Sequence, residues 1–276
     1  MTIDGRRLSY LDRAPAGARR TVVFLHAFPL NADMWAPQFA AVSGDWRLVA
    51  PDFRGFGDSD ADPAVSVEAG LSLDDYAADV MALLRHLGVD DAVVAGLSLG
   101  GYVLFALLRG LDGALPTSHP LRLRGLVLAD TRYQADTEEG RAGRLRMAEL
   151  VGREGAAGAA KAMLPKLLGE ETRRARPDAV DAVRRLILRA SPEAIAAASY
   201  RMMTRPDSAA ELARIACPTL VLVGEHDELT PPEVSRDMHE RIAGATLEVV
   251  PGAGHMTNLE RPDVFNRALV RFLDRI

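Results

Sequence analysis

The stretch Val93-Val94-Ala95-Gly96-Leu97-Ser98-Leu99-Gly100-Gly101 cannot be one regular element. Its first half is a continuous apolar run, as in a strand buried on both faces, while apolar residues at helical spacing follow Ser98. A strand therefore meets a helix at Ser98 with no loop between them. So sharp a turn strains the serine backbone, and glycines two residues to either side let strand and helix pack closely. Ser98 is expected to stand exposed at the carboxyl edge of a sheet. Chance alone gives a glycine-x-serine-x-glycine pattern in roughly one chain in ten of this length, so its meaning depends on the rest of the chain.

The remaining sequence repeats the same alternation. Continuous apolar runs at 21–25, 46–50, 92–95, 126–129, 219–223 and 247–250 read as buried strands. Ser72-Leu73-Asp74-Asp75 is a capping-box variant, and Leu73, Tyr76, Val80, Leu83, Leu84 and Leu87 recur at helical spacing up to Gly88. Further helices are expected over 99–109, after the cap signal Thr230-Pro231-Pro232-Glu233, and from Pro262 to the end. Around Asp4-Gly5 a hairpin edge leads into a strand near residues 7–11. From 131 to 210 no buried strand appears, and three or four helices are expected, near 138–151, 156–168, 177–190 and 192–203. Strands alternating with helices imply an α/β fold with a doubly wound, mostly parallel sheet. Residues 1–130 and 211–276 would form its core and 131–210 an inserted helical segment.

Length and charge exclude several functions. A chain of 276 residues supports one large core, and a net charge of −5 without a basic block gives nucleic acid no footprint. No run approaches the ~18 apolar residues of a membrane span, so no membrane partner is expected. Residues 1–10 lack the apolar centre of a secretion signal, which makes a cytoplasmic location the default expectation. The lone Cys217, ahead of Pro218, rules out an internal disulfide and multi-cysteine metal sites, and it reads as a small buried residue rather than a nucleophile.

In open parallel sheets, ligands bind outside the carboxyl ends of the strands. Those ends present His26, Asp52, Ser98, Asp130, Asp227 and His255. A serine hydroxyl needs a neutral imidazole to take its proton and a carboxylate to hold that imidazole. His255, in the glycine-rich loop after the last strand, fits the base. His26 precedes the Phe28-Pro29 turn and is expected to brace it. His86 and His239 lie within helices, His119 in a loop and His226 beside Asp227, all in surface or structural roles. For the carboxylate, both Asp227 and Asp130 end strands, Asp130 with the alternative of a strand-terminating cap. Gly55 and Gly57 lack the following Gly-Lys-Ser/Thr of a phosphate loop and read as a tight structural turn.

Taken together, His26-Ala27-Phe28-Pro29, the Asp52 to Ser59 loop, Gly96-Leu97-Ser98-Leu99-Gly100-Gly101, Gly224-Glu225-His226-Asp227 and Gly254-His255 resemble the α/β-hydrolase fold family over essentially the whole chain. The resemblance implies an eight-stranded type of sheet and a triad of Ser98, His255 and Asp227, since Ser, Asp, His is that family's chain order. It also implies an oxyanion hole from the backbone N–H groups of Phe28 and Leu99, and a cap built from 131–210. Ala27 departs from the usual glycine, and its methyl bears on where the Phe28 amide sits. Relatives that dehalogenate alkanes or open epoxides carry aspartate at the Ser98 position, so acyl transfer on a small-molecule ester or lactone is the expected reaction. Carbon–carbon bond hydrolysis or cofactor-free perhydrolysis on the same triad, and ligand-dependent signalling by a protein of this fold, are the alternatives. No metal or organic cofactor is called for. Met147, Met163 and Met202 are candidate substrate contacts, with packing against the sheet domain as the plainer role. The segment's arginines, Arg141, Arg144, Arg146, Arg173, Arg174, Arg184 and Arg185 among them, read mostly as solvated, with one of them a candidate clamp for a substrate carboxylate.

Overall fold

The computed structural model describes residues 1–62, 65–66, 69–111 and 120–276. His119, Pro63 and most of the Gly/Pro-rich stretch before 121 lie outside them. Two short strands, Thr2–Ile3 (β1) and Arg6–Arg7 (β2), pair only with each other, across a turn in which Asp4 and Gly5 both have positive φ. The main sheet holds Tyr10–Arg13 (β3), Arg20–Leu25 (β4), Trp46–Pro51 (β5), Asp91–Leu97 (β6), Arg122–Ala129 (β7), Thr219–Gly224 (β8) and Thr246–Val250 (β9). Its order is β3-β5-β4-β6-β7-β8-β9, parallel throughout except for β3 against β5. The doubly wound sheet is therefore as expected, with seven strands among the described residues rather than eight. The chain before β3 is spent on the separate β1/β2 hairpin.

Strands β6, β7 and β8 are buried along consecutive residues because helices cover both faces of the sheet. Leu73–His86 (α2) packs against Leu99–Arg109 (α3), while Ala36–Ala41 (α1) packs against Pro262–Leu273 (α11). The predicted capping box of α2 is present, Ser72 accepting from Asp74 N and Asp75 accepting from Ser72 N. Between β7 and β8 come Glu138–Leu167 (α4), Glu170–Ala175 (α5), Pro177–Leu188 (α6), Pro192–Met203 (α7) and Ala209–Leu212 (α8). Gly155, at φ +63° and ψ −163°, breaks α4 into the two helices expected near 138–151 and 156–168. The short α1, α5, α8 and Thr257–Glu260 (α10) carry too few turns for periodicity to reveal them. Pro232–Arg241 (α9) starts at its proline with no side-chain cap, because Thr230 spends its hydroxyl on Asp227 instead of the helix.

Helix α7 is bolted to the core by one buried arginine. The Arg201 guanidinium, fully buried, meets both carboxylate oxygens of Asp62 at 2.8 and 2.9 Å and Asp75 at 2.8 Å. It also lies 4.5 Å over the Tyr76 ring. Removing one partner from such a buried pair costs about 3–5 kcal/mol, because the charge left behind has no compensation. This anchor fixes the helix that carries Met202.

Candidate active site

The central strand β6 delivers Ser98 at φ +54° and ψ −111°, the strained elbow expected from its glycines. A Cβ on Gly96 would sit 2.4 Å from the Gly100 carbonyl oxygen, and one on Gly100 would sit 2.1 Å from that of Leu25. Neither position tolerates a side chain. The elbow is tied down through Ser98 N to Ala129 O at 2.9 Å, and the Thr131 hydroxyl donates to Ser98 O at 2.9 Å.

The loop after β9 brings His255 to this serine. Its Nε2 lies 2.9 Å from Ser98 Oγ, and its Nδ1 lies 2.8 Å from Asp227 Oδ2. Asp227 is held in turn by the backbone N–H groups of Leu229 and Thr230 on Oδ1, at 2.8 and 2.9 Å, and by the Thr230 hydroxyl on Oδ2 at 2.5 Å. Burial pushes the Asp227 pKa up, but the His255 imidazole and the Thr230 donors outweigh it and hold the carboxyl below its ordinary value. An ionised Asp227 only accepts, so Nδ1 carries the proton and Nε2 is left to accept from Ser98.

Asp130, the other carboxylate considered, does not touch His255. Its Oδ1 accepts from Gly224 N at 2.9 Å and its Oδ2 from the Thr257 hydroxyl, so it ends β7 and ties β8 to α10. Complete burial, followed by the nearby negative Asp227, drives its pKa well above the ordinary value. The two buried carboxyls are thus shifted in opposite directions, Asp227 down by its imidazole and Thr230 donors and Asp130 up by burial.

One support was not foreseen. Glu260, buried in α10, accepts from Gly254 N at 2.9 Å and Met256 N at 3.2 Å, gripping the His255 loop from both sides. Its second oxygen accepts from Gly169 N at 2.8 Å and so joins that loop to the chain between α4 and α5. The clue available in sequence was only an acidic residue five positions after the histidine.

Next to the elbow, among the described residues, the backbone N–H groups of Phe28 and Leu99 have no acceptor within the protein. The Ala27 methyl is fully buried, its N–H directed to Met34 Sδ at 3.2 Å. His26 braces this loop as expected. Its Nδ1 donates to Ala27 O at 3.0 Å, and its Nε2 accepts from Phe53 N at 3.0 Å, which joins the 26–30 loop to the 52–59 loop. In the latter, a Cβ on Gly57 would fall 2.2 Å from Asp52 Oδ2, in keeping with a tight structural turn.

Complete burial lowers the His26 pKa from 6.5 to about 4, against a smaller upward pull from Ala27 O. The unfolded chain therefore binds a proton that the folded chain refuses. Stability from this group is full above pH ~6.5 and falls as pH drops toward ~4, by about 2–3 kcal/mol between pH ~7.5 and ~4.5. Urea titrations at the two pH values should show that loss in the wild type and a smaller one in His26→Gln. Equal losses would contradict a neutral, buried His26.

Ser98 and His255 open into a cavity of about 290 Å³, at the lower edge of the ~300–1,000 Å³ common for small-molecule sites. Phe28, Met147, Met163, Leu167 and Met202 form its apolar side, so all three methionines singled out in the sequence reach it. Its polar side holds Arg132, Asp136, Arg144 and Lys166. Among the seven arginines considered from sequence, Arg144 alone lines this wall, and Arg132 was not among them. Helix α4 with α7 roofs the serine.

The alpha/beta hydrolase family matches residues 22–268. A 3-oxoadipate enol-lactonase of Acinetobacter baylyi is 28% identical over 259 residues, covering 93% of this chain and 90% of its own. A thermophilic esterase from Thermogutta terrifontis, solved with malate bound, superposes with a TM-score of 0.89 at 37% identity, covering 99% of this chain and 96% of that one. The enol-lactonase of Burkholderia xenovorans superposes with a TM-score of 0.85 at 27% identity, covering 99% and 98%.

Proposed function

Since the chain belongs to the alpha/beta hydrolase family, we propose that it is a serine hydrolase that cleaves a small carboxylic ester or lactone through an acyl-enzyme on Ser98. The observation that carries this reading is the continuous hydrogen-bonded line from Ser98 Oγ through His255 to Asp227 at 2.9 and 2.8 Å. Esterase and enol-lactonase relatives support the substrate class. Residues 131–210 act as the cap, inserted between the core parts 1–130 and 211–276, because β7 and β8 pair directly with each other at Ala129 and Leu222 on either side of it.

In the proposed reaction His255 Nε2 takes the Ser98 proton as Oγ attacks the carbonyl carbon. The carbonyl π pair moves to oxygen, and the unpartnered amides of Phe28 and Leu99 receive the resulting oxyanion. Asp227 stabilises the imidazolium through Nδ1–H. When the tetrahedral intermediate collapses, the carbon–oxygen bond to the alcohol breaks and the leaving oxygen takes the proton from Nε2. Water then enters, gives a proton to Nε2 as it attacks the acyl carbon, and Ser98 leaves with that proton restored. In a lactone the alcohol stays tethered to the acyl group.

The test is a turnover screen over short esters, lactones and thioesters by base uptake, and over amides by ammonia release. Multiple turnovers of an ester or lactone are expected. A protein that turns over none of these, or amides alone, would refute the reading.

A further inference from the structure

The cavity wall above Ser98 is charged in an unbalanced way. Arg132, Arg144 and Lys166 line it against a single carboxylate, Asp136. That carboxylate is already shared, by Arg144 Nε at 3.0 Å and by the buried Arg205 Nη1 at 2.7 Å. Among the described residues Arg132 has no acidic partner, and its one hydrogen bond goes to the carbonyl of Leu229. Lys166, exposed at the end of α4, has no ion pair or hydrogen bond among the described residues, and the terminal nitrogens of Arg144 are likewise unengaged. Positive charge gathered in a partly enclosed pocket focuses its field on whatever enters.

Arg132 is also well placed for the reacting group. It directly follows Thr131, whose hydroxyl holds the Ser98 carbonyl, and it reaches Leu229, whose N–H holds Asp227. The cation is thus fixed between the elbow and the acid loop, while Arg144 and Lys166 approach from the cap. Guanidinium forks match the planar, two-oxygen geometry of a carboxylate.

We propose that Arg132, Arg144 and Lys166 form a carboxylate subsite, so that the substrate is an ester or lactone bearing a second, ionised carboxyl group. The proposal rests on the ester or lactone reading above. In it the anionic end is held on the polar wall and the carbon chain lies along the methionines, with the reacting carbonyl directed at Ser98.

The experiment compares monoethyl esters of succinic, glutaric and adipic acid with the same esters carrying a carboxamide in place of the free acid. Base uptake at constant pH gives kcat/KM for each. For the chain length that fits, the acid is expected to exceed its amide by about 10–100-fold, the range of one charge-assisted hydrogen-bond pair. Arg132→Gln should reduce that ratio about tenfold or more, mainly through KM. A general loss of activity falls on both esters and leaves the ratio alone. In the wild type, raising salt from about 0.05 M to about 1 M should shrink the ratio as charges are screened. Ratios near or below one at all three lengths, with phenyl acetate still hydrolysed, would overturn the subsite and leave the hydrolase reading standing. No hydrolysis of these esters, of phenyl acetate or of any lactone or thioester in the screen above would overturn both.

Discussion

Ser98→Ala is expected to lower kcat on a short-chain ester by about a millionfold, to the residue left by binding and oxyanion donors alone. The hydroxyl's one hydrogen bond is to His255, so the fold should lose no more than about 1 kcal/mol. The backbone at φ +54° is imposed by strand, helix and glycines and does not depend on the hydroxyl. Circular dichroism and urea midpoints separate the two effects. Undiminished turnover in a folded Ser98→Ala protein would remove Ser98 from the chemistry.

Asp227→Asn is expected to cost about ten-thousandfold in kcat. The surroundings of this residue dictate which way the new amide must point. Oδ1 receives two backbone N–H groups, so the asparagine oxygen belongs there and the NH2 faces His255 Nδ1. That NH2 can only donate, which forces the imidazole proton onto Nε2 and removes the acceptor for the Ser98 proton. Asp130 offers no replacement, because its oxygens are engaged by Gly224 N and the Thr257 hydroxyl. A variant keeping more than about a tenth of wild-type kcat would show that the imidazole is oriented by something other than Asp227. The loss of about ten-thousandfold expected here follows from the tautomer alone.

Ser98 was legible in sequence because a local rule places it, whereas strand ends left Asp227 beside Asp130 until the family's Ser, Asp, His order chose between them. Glycine spacing around Ser98 signals a turn that only such residues permit, and short buried strands announce their own carboxyl ends, where Asp227 and His255 lie. The sheet followed from the same runs. The residues that escaped notice act across long stretches of chain. Glu260 grips both Gly254 and Gly169, the latter 91 positions away, and Arg201 meets Asp62 139 positions away. Arg132, Asp136 and Lys166 share a wall only because α4 folds back over the β7 end. Arginines with solvated roles look the same in a sequence as one that faces a cavity. Thr230 shows the converse. A local signal for a helix cap was present, and a tertiary partner, Asp227, claimed the hydroxyl instead.

The proposed acyl-enzyme can be tested most directly by treating the protein with phenyl dimethylcarbamate, whose carbamoyl-serine product hydrolyses slowly. Phenol release should stop after one equivalent, peptide mass mapping should place the carbamoyl group on Ser98, and ester turnover should disappear in step with its attachment. An adduct at another residue that abolishes turnover, or the same burst from Ser98→Ala, would contradict a Ser98 nucleophile.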